Sequence, residues 1–191
     1  MIHTRVGYAG GSTENPTYYS LGDHSETIQI DYDPTQISYR QILDVFWASH
    51  NPIYEPWSRQ YMSIVFYHSE EQKRLAIETK ESEEARLGKH ILTEIVPFSE
   101  FYLAEDYHQK YYLRQEPVLM AEFSAIYPAT EDFIASTAVA RVNGYVGGYG
   151  ELATLEKELG LLGLSEAGIR RLLEIAAGGL EPVCPVPDTP S

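Results

Sequence analysis

Glu26 is the residue whose surroundings most plainly suggest chemistry. It heads the run Glu26-Thr27-Ile28-Gln29-Ile30-Asp31-Tyr32, whose period-two alternation predicts a strand. Glu26, Ile28, Ile30 and Tyr32 then share one face, and the apolar members mark that face as the buried one. Burial disfavours an ionised carboxyl, so Glu26 is expected to hold a proton near neutral pH and serve as an acid. The alternative is a strand-edge carboxylate facing water. Glu105 and His108 have the Glu-x-x-His spacing of half a di-iron site on a helix, but the sequence offers no second such pair. No metal is therefore expected, and His108 reads as a supporting or substrate-contacting residue. His24 and His50 suit capping, packing or catalysis equally well. Cys184 is the single thiol; it lies in a proline-rich tail with nothing basic nearby to favour the thiolate.

Around these residues the elements alternate. Residues 2–8 read as a short strand stopped by Gly10-Gly11, and 12–23 as a polar loop. Ser38-Tyr39-Arg40-Gln41 has the form of a capping box and opens a helix to about residue 50, with Ile42, Val45, Phe46 and Ser49 as its inward stripe. Asn51-Pro52 stops it. A strand follows over 61–67, and a second box, Ser69-Glu70-Glu71-Gln72, opens a long charged helix to about residue 88. Residues 90–97 read as a strand and 101–114 as a Tyr-rich helix. The glycine cluster at 144–150 follows no strand, so it predicts a linker or loop rather than a nucleotide fingerprint. Two helices are expected over 151–162 and 165–177, the second capped by Ser165, before a frayed tail. Strands and helices in this order predict a layered α/β or α+β domain with a helical appendage.

Several blocks resemble one family, the A-class peptide-methionine sulfoxide reductases. They are Val6-Gly7-Tyr8-Ala9-Gly10-Gly11 with Asn15-Pro16-Thr17-Tyr18; Asp23-His24-Ser25-Glu26 with Tyr32-Asp33-Pro34; Phe46-Trp47-Ala48-Ser49-His50-Asn51-Pro52; Gln60-Tyr61-Met62-Ser63; and the block from Phe101 to Gln109. They keep the family's order over roughly residues 4–112. The resemblance implies an α+β fold, an α/β sandwich on a ferredoxin-like βαββαβ-type core, followed here by a C-terminal helical extension. The expected division is a reductase-like core over 1–115, a helical extension over 116–180 and a flexible tail over 181–191.

The same resemblance implies a function: thiol-dependent reduction of methionine-S-sulfoxide, protein-bound or free, to methionine, as repair under oxidative stress. Such chemistry needs a thiolate to attack sulfur, a donor to polarise and protonate oxygen, and an apolar seat for the methyl group. Tyr18 and Tyr61 match the family's two oxygen-binding tyrosines, and Glu26 its acid. Donors preset where negative charge develops are often the largest catalytic contribution. The family's Gly-Cys-Phe-Trp-Gly motif lies upstream of the Val6–Gly11 block and is absent, so the chain is expected to lack its nucleophile and to begin inside a longer reading frame. A selenocysteine codon read as a stop would give that start. Pro56, Trp57 and Ser58 stand where the family places an acidic residue. Cys184 is a resolving thiol if an upstream cysteine exists, and otherwise an inert one. Thioredoxin is the implied reductant, with no bound cofactor. The alternative reading is a non-catalytic methionine-sulfoxide-binding pseudoenzyme.

Bulk properties limit the other classes. The chain has 191 residues, is 43% hydrophobic and carries a formal charge of −14. That balance disfavours nucleic acid and anionic membranes, which call for clustered Lys and Arg. One cysteine excludes an intrachain disulfide framework, and no leader-like segment opens the sequence, so a cytoplasmic monomer is the expected setting.

Overall fold

The computed structural model describes residues 2–178, which form a mixed α+β structure. Contacts divide the chain into two units, Met1–Glu105 and Asp106–Ser191. In order, the first contains β1 (His3–Ala9), β2 (Ser25–Asp31), α1 (Tyr39–Ala48), β3 (Ile64–Tyr67), α2 (Glu70–Leu87), β4 (Glu94–Pro97) and β5 (Phe101–Leu103). β1 is the middle strand of an antiparallel sheet in the order β2-β1-β5. β3 and β4 pair in parallel, with α2 as their crossover.

Local chemistry explains most of these boundaries. Ser38 accepts from the Gln41 amide at 3.2 Å and Gln41 Oε1 accepts from the Ser38 amide at 2.9 Å, so the first capping box closes both ways. The second closes only halfway. Ser69 Oγ accepts from the Gln72 amide, but Gln72 Oε1 turns to the His68 amide at 2.8 Å. Gly88 ends α2 with φ of 63°, a left-handed cap that glycine takes without a Cβ penalty. The buried face of α1 differs from the expected one. Leu43 and Trp47, one turn apart, pack with Val65, Ala76 and Ile91, whereas Val45 is 65% exposed and Ser49 is exposed.

The segment expected to be one Tyr-rich helix is split. Residues Phe101–Leu103 instead form β5, paired with β1 through Gly7↔Leu103, Tyr8↔Tyr102 and Ala9↔Phe101. The pairing depends on Gly7: a Cβ there would lie 2.2 Å from the Tyr102 carbonyl oxygen and 2.4 Å from the Phe101 ring. Long-range pairing overrides the local pattern of 101–114.

The second unit is helical: α3 (Tyr111–Arg114), α4 (Pro117–Ile126), α5 (Thr130–Ala135), α6 (Thr137–Val146), α7 (Leu152–Glu158) and α8 (Glu166–Gly178). Its core gathers Leu113, Leu119, Phe123, Val139, Val142, Leu155 and Leu172, all at 0% exposure. The glycine cluster is only partly a loop, because α6 runs through Gly144 to Val146 before the chain turns. Helix 151–162 shortens to α7 and a single 3-10 turn, Leu159–Leu161, while Ser165 caps α8 as expected, accepting from the Gly168 amide at 3.2 Å. Cys184 and the expected tail lie outside the described residues.

Candidate active site

The first unit brings together the three residues that sequence places eight and thirty-five positions apart. β2 carries Glu26 near its start, and the 3-10 turn Arg59–Tyr61 lies against it. Two contacts fix that approach: the Ser25 hydroxyl donates to the Arg59 carbonyl at 2.7 Å, and Gln60 Nε2 donates to Glu26 Oε1 at 2.7 Å. One guanidinium nitrogen of Arg59 reaches both Glu94 oxygens at 2.9 Å, which ties the same turn to β4. Tyr61 thereby stands beside Glu26 and within interaction distance of Tyr18. Partial burial of the phenol, the neighbouring Tyr18 side chain and the nearby Glu26 carboxylate together push the Tyr61 pKa up to about 12, so it stays a hydrogen-bond donor across the neutral range.

Tyr18 is held from behind. Its amide donates to Glu105 Oε1 at 3.0 Å, while the buried Tyr8 hydroxyl donates to Glu105 Oε2 at 2.6 Å. One carboxylate thus clamps the loop to the central strand. The loop ahead of β2 is further pinned by His24, 1% exposed: the Gly11 amide donates to Nδ1 at 3.1 Å, which leaves Nε2–H to donate to the Thr13 carbonyl at 2.8 Å. His24 is therefore engaged in holding the loop. Asp23 accepts from both the amides and the hydroxyls of Ser12 and Thr13, which hold its carboxyl well below the usual range. Gly10, at φ of 82°, turns the chain where a Cβ would sit 2.8 Å from the Phe66 ring.

One expectation is corrected. The face of β2 expected to be buried is open: Glu26 is exposed and Ile28 is 56% exposed. β2 is the outer strand of its sheet, and the period-two pattern of apolar residues marks a face without saying what covers it. The desolvation invoked for Glu26 is therefore not supplied by the residues of the first unit. His50 packs against Phe46 and Trp47, with Nδ1 on the Phe46 carbonyl at 2.8 Å. His108 lies in the single turn Asp106–His108 that opens the second unit, its ring tilted against Tyr107 at 4.2 Å.

Two participants were not legible as such. Glu105 stands out in sequence for its spacing to His108 and as part of the Phe101–Gln109 block, but its clamp on Tyr18 spans 87 positions, beyond any local pattern. Trp57 stacks on Tyr61 at 4.7 Å between ring centres; its place beside the Gln60-Tyr61 block was the available signal.

Comparison with known proteins identifies the family. The family model described as peptide methionine sulfoxide reductase matches residues 1–142, and one described as selenoprotein methionine sulfoxide reductase A, helical domain, matches 129–177. A peptide methionine sulfoxide reductase of Drosophila melanogaster is 41% identical over 167 residues, covering 86% of this chain and 67% of that protein. The peptide methionine sulfoxide reductase MsrA of Methanosarcina acetivorans is 46% identical over 123 residues, covering 59% and 65%. The rice protein named peptide methionine sulfoxide reductase A5 is 40% identical, covering 76% and 59%. The chain thus spans 59–67% of the length of these three relatives. The crystal structure of Mxr1 from Saccharomyces cerevisiae in reduced form matches with a TM-score of 0.55 and 31% identity, covering 60% of this chain and 71% of that one. With one family model spanning most of its length, the chain belongs to the peptide methionine sulfoxide reductase family.

Proposed function

We propose that Tyr18, Glu26 and Tyr61 form the oxygen-side half of a site that reduces methionine-S-sulfoxide to methionine. The approach of the Arg59–Tyr61 turn to β2, with Gln60 on Glu26 at 2.7 Å and Tyr61 within interaction distance of both Glu26 and Tyr18, carries the proposal. The two phenols donate to the sulfoxide oxygen, and the Glu26 carboxyl delivers the proton as the sulfur–oxygen bond breaks. The attacking sulfur or selenium belongs to a Gly-Cys-Phe-Trp-Gly-type segment joined ahead of these residues in the full-length protein. The helical-domain model, described for a selenoprotein reductase, supports that reading, as does the greater length of the relatives. The oxidised nucleophile would then be regenerated by a dithiol such as thioredoxin.

Isothermal titration with N-acetylmethionine-(S)-sulfoxide methylamide tests the site. Millimolar or tighter binding is expected, with the R epimer at least several-fold weaker. Tyr61→Phe should weaken binding about 10-fold, the worth of one or two neutral hydrogen bonds. No binding, or equal binding of both epimers, refutes the proposal. A second reading, a methionine-sulfoxide-binding protein without catalysis, is favoured by the lack of any cysteine among the described residues. Coding DNA immediately ahead of Met1 decides between them: an in-frame Gly-Cys-Phe-Trp or Gly-selenocysteine-Phe-Trp supports the reductase, and its absence the binding protein.

A further inference from the structure

Each tyrosine of the cluster carries a second aromatic ring, and both second rings face solvent. Trp57 lies over Tyr61 with 4.7 Å between centroids and 26° between planes, yet is 68% exposed. Tyr19 meets Tyr18 edge-on at 5.3 Å and is 90% exposed. A single exposed aromatic needs no explanation. Here two are anchored on Tyr61 and Tyr18, phenols within interaction distance of each other, so they flank the position where the sulfoxide oxygen is placed by the reading above.

We propose that Trp57 and Tyr19 are specificity-determining residues: they form an aromatic rim that reads the residues on either side of an oxidised methionine. The preferred substrate is then a methionine-S-sulfoxide with apolar neighbours over one with polar neighbours. The inference rests on the Tyr18–Glu26–Tyr61 reading. The sulfoxide group is small, and those three polar side chains address only its oxygen. What remains of the substrate is apolar. Methionine is mostly buried among apolar residues, and its oxidation opens the core around it, so the damaged segment presents those neighbours. Rigid rings give contact area at low entropic cost and suit thioether and aliphatic groups.

The 191-residue chain should be titrated with three probes. These are N-acetylmethionine-(S)-sulfoxide methylamide and two capped pentapeptides with the sulfoxide between either two leucines or two serines. The leucine peptide is expected to bind about 10-fold tighter than the serine peptide, the effect of one or two aromatic contacts. Trp57→Ala should reduce that ratio to about 2, and Tyr19→Ala should reduce it in the same direction. Both rings are exposed, so thermal melts of the variants should match the parent. Equal binding of the two peptides by the parent overturns the inference while leaving the oxygen-side site intact. So does a Trp57→Ala variant that weakens all three probes by one factor, which would make Trp57 a support for Tyr61 alone. Binding of none of the three refutes the underlying site itself.

Discussion

At the scale of single residues, the site depends on which groups keep their protons. Tyr61 is an acid whose folded-state pKa, about 12, exceeds its ordinary value near 10. A group shifted upward binds its proton more tightly in the folded state. Its contribution is fully present below the unfolded value and fades as pH rises through the folded one. Phenolate absorbance should show this directly. The difference between the alkaline titrations of the parent and of Tyr61→Phe should isolate a single step near pH 12. A difference step near 10 instead would contradict the arrangement. Tyr39, half-buried and shifted upward to about 12 by that burial, should remain in both titrations. The family resemblance pointed to Tyr18 and Tyr61, and strand alternation as well as the resemblance to Glu26. Neither supplied Glu26's surroundings, because alternation along a strand says which residues share a face and not whether anything packs on it. Nor did they supply the clamp by Glu105, which depends on a contact across the whole first unit.

At the scale of elements, capping chemistry was the most legible signal. Ser38, Ser69 and Ser165 each start a helix by accepting from the backbone amide three residues on. The weakest was the region from Phe101, where aromatic residues suit helix and strand alike and the decision comes from β1. That makes Gly7 the residue on which β5 depends. Gly7→Ala places a methyl carbon within 2.2 Å of the Tyr102 carbonyl, a backbone atom that cannot swing aside. The expected cost is about 1–3 kcal/mol, as for overpacking elsewhere. It should appear as a lower urea midpoint for the first unit. Because Glu105 lies two residues past the end of β5 and holds Tyr18, the same variant should weaken sulfoxide binding. Gly144→Ala is the control: a Cβ there meets nothing within 4 Å, and α6 should if anything gain stability. Equal midpoints for Gly7→Ala and the parent would show that the strand tolerates a shift the geometry forbids.

At the scale of the molecule, family resemblance and packing divide the chain at different places. The reductase model runs to residue 142 and the helical-domain model begins at 129, whereas contacts separate the units after Glu105. Helices α3 and α4 therefore match the reductase model in sequence but belong to the helical unit by packing. Their contribution there is large. Leu113, Leu119 and Phe123 are fully buried in the same core as Leu155 and Leu172, and the Arg171 guanidinium of α8 donates to Glu116 just before α4 at 2.8 Å. Losing one buried Leu or Phe costs about 2–5 kcal/mol, and whole domains are stable by only about 5–15 kcal/mol. Removing all three with their helices should exceed what the rest can sustain. A fragment of residues 106–191 is therefore expected to melt cooperatively by circular dichroism, and one of 129–191, cut where the helical-domain model begins, is not. Cooperative melting of the shorter fragment would mean that the sequence boundary, rather than the contact boundary, delimits the folding unit. Failure of both would mean that the helical core depends on the rest of the chain.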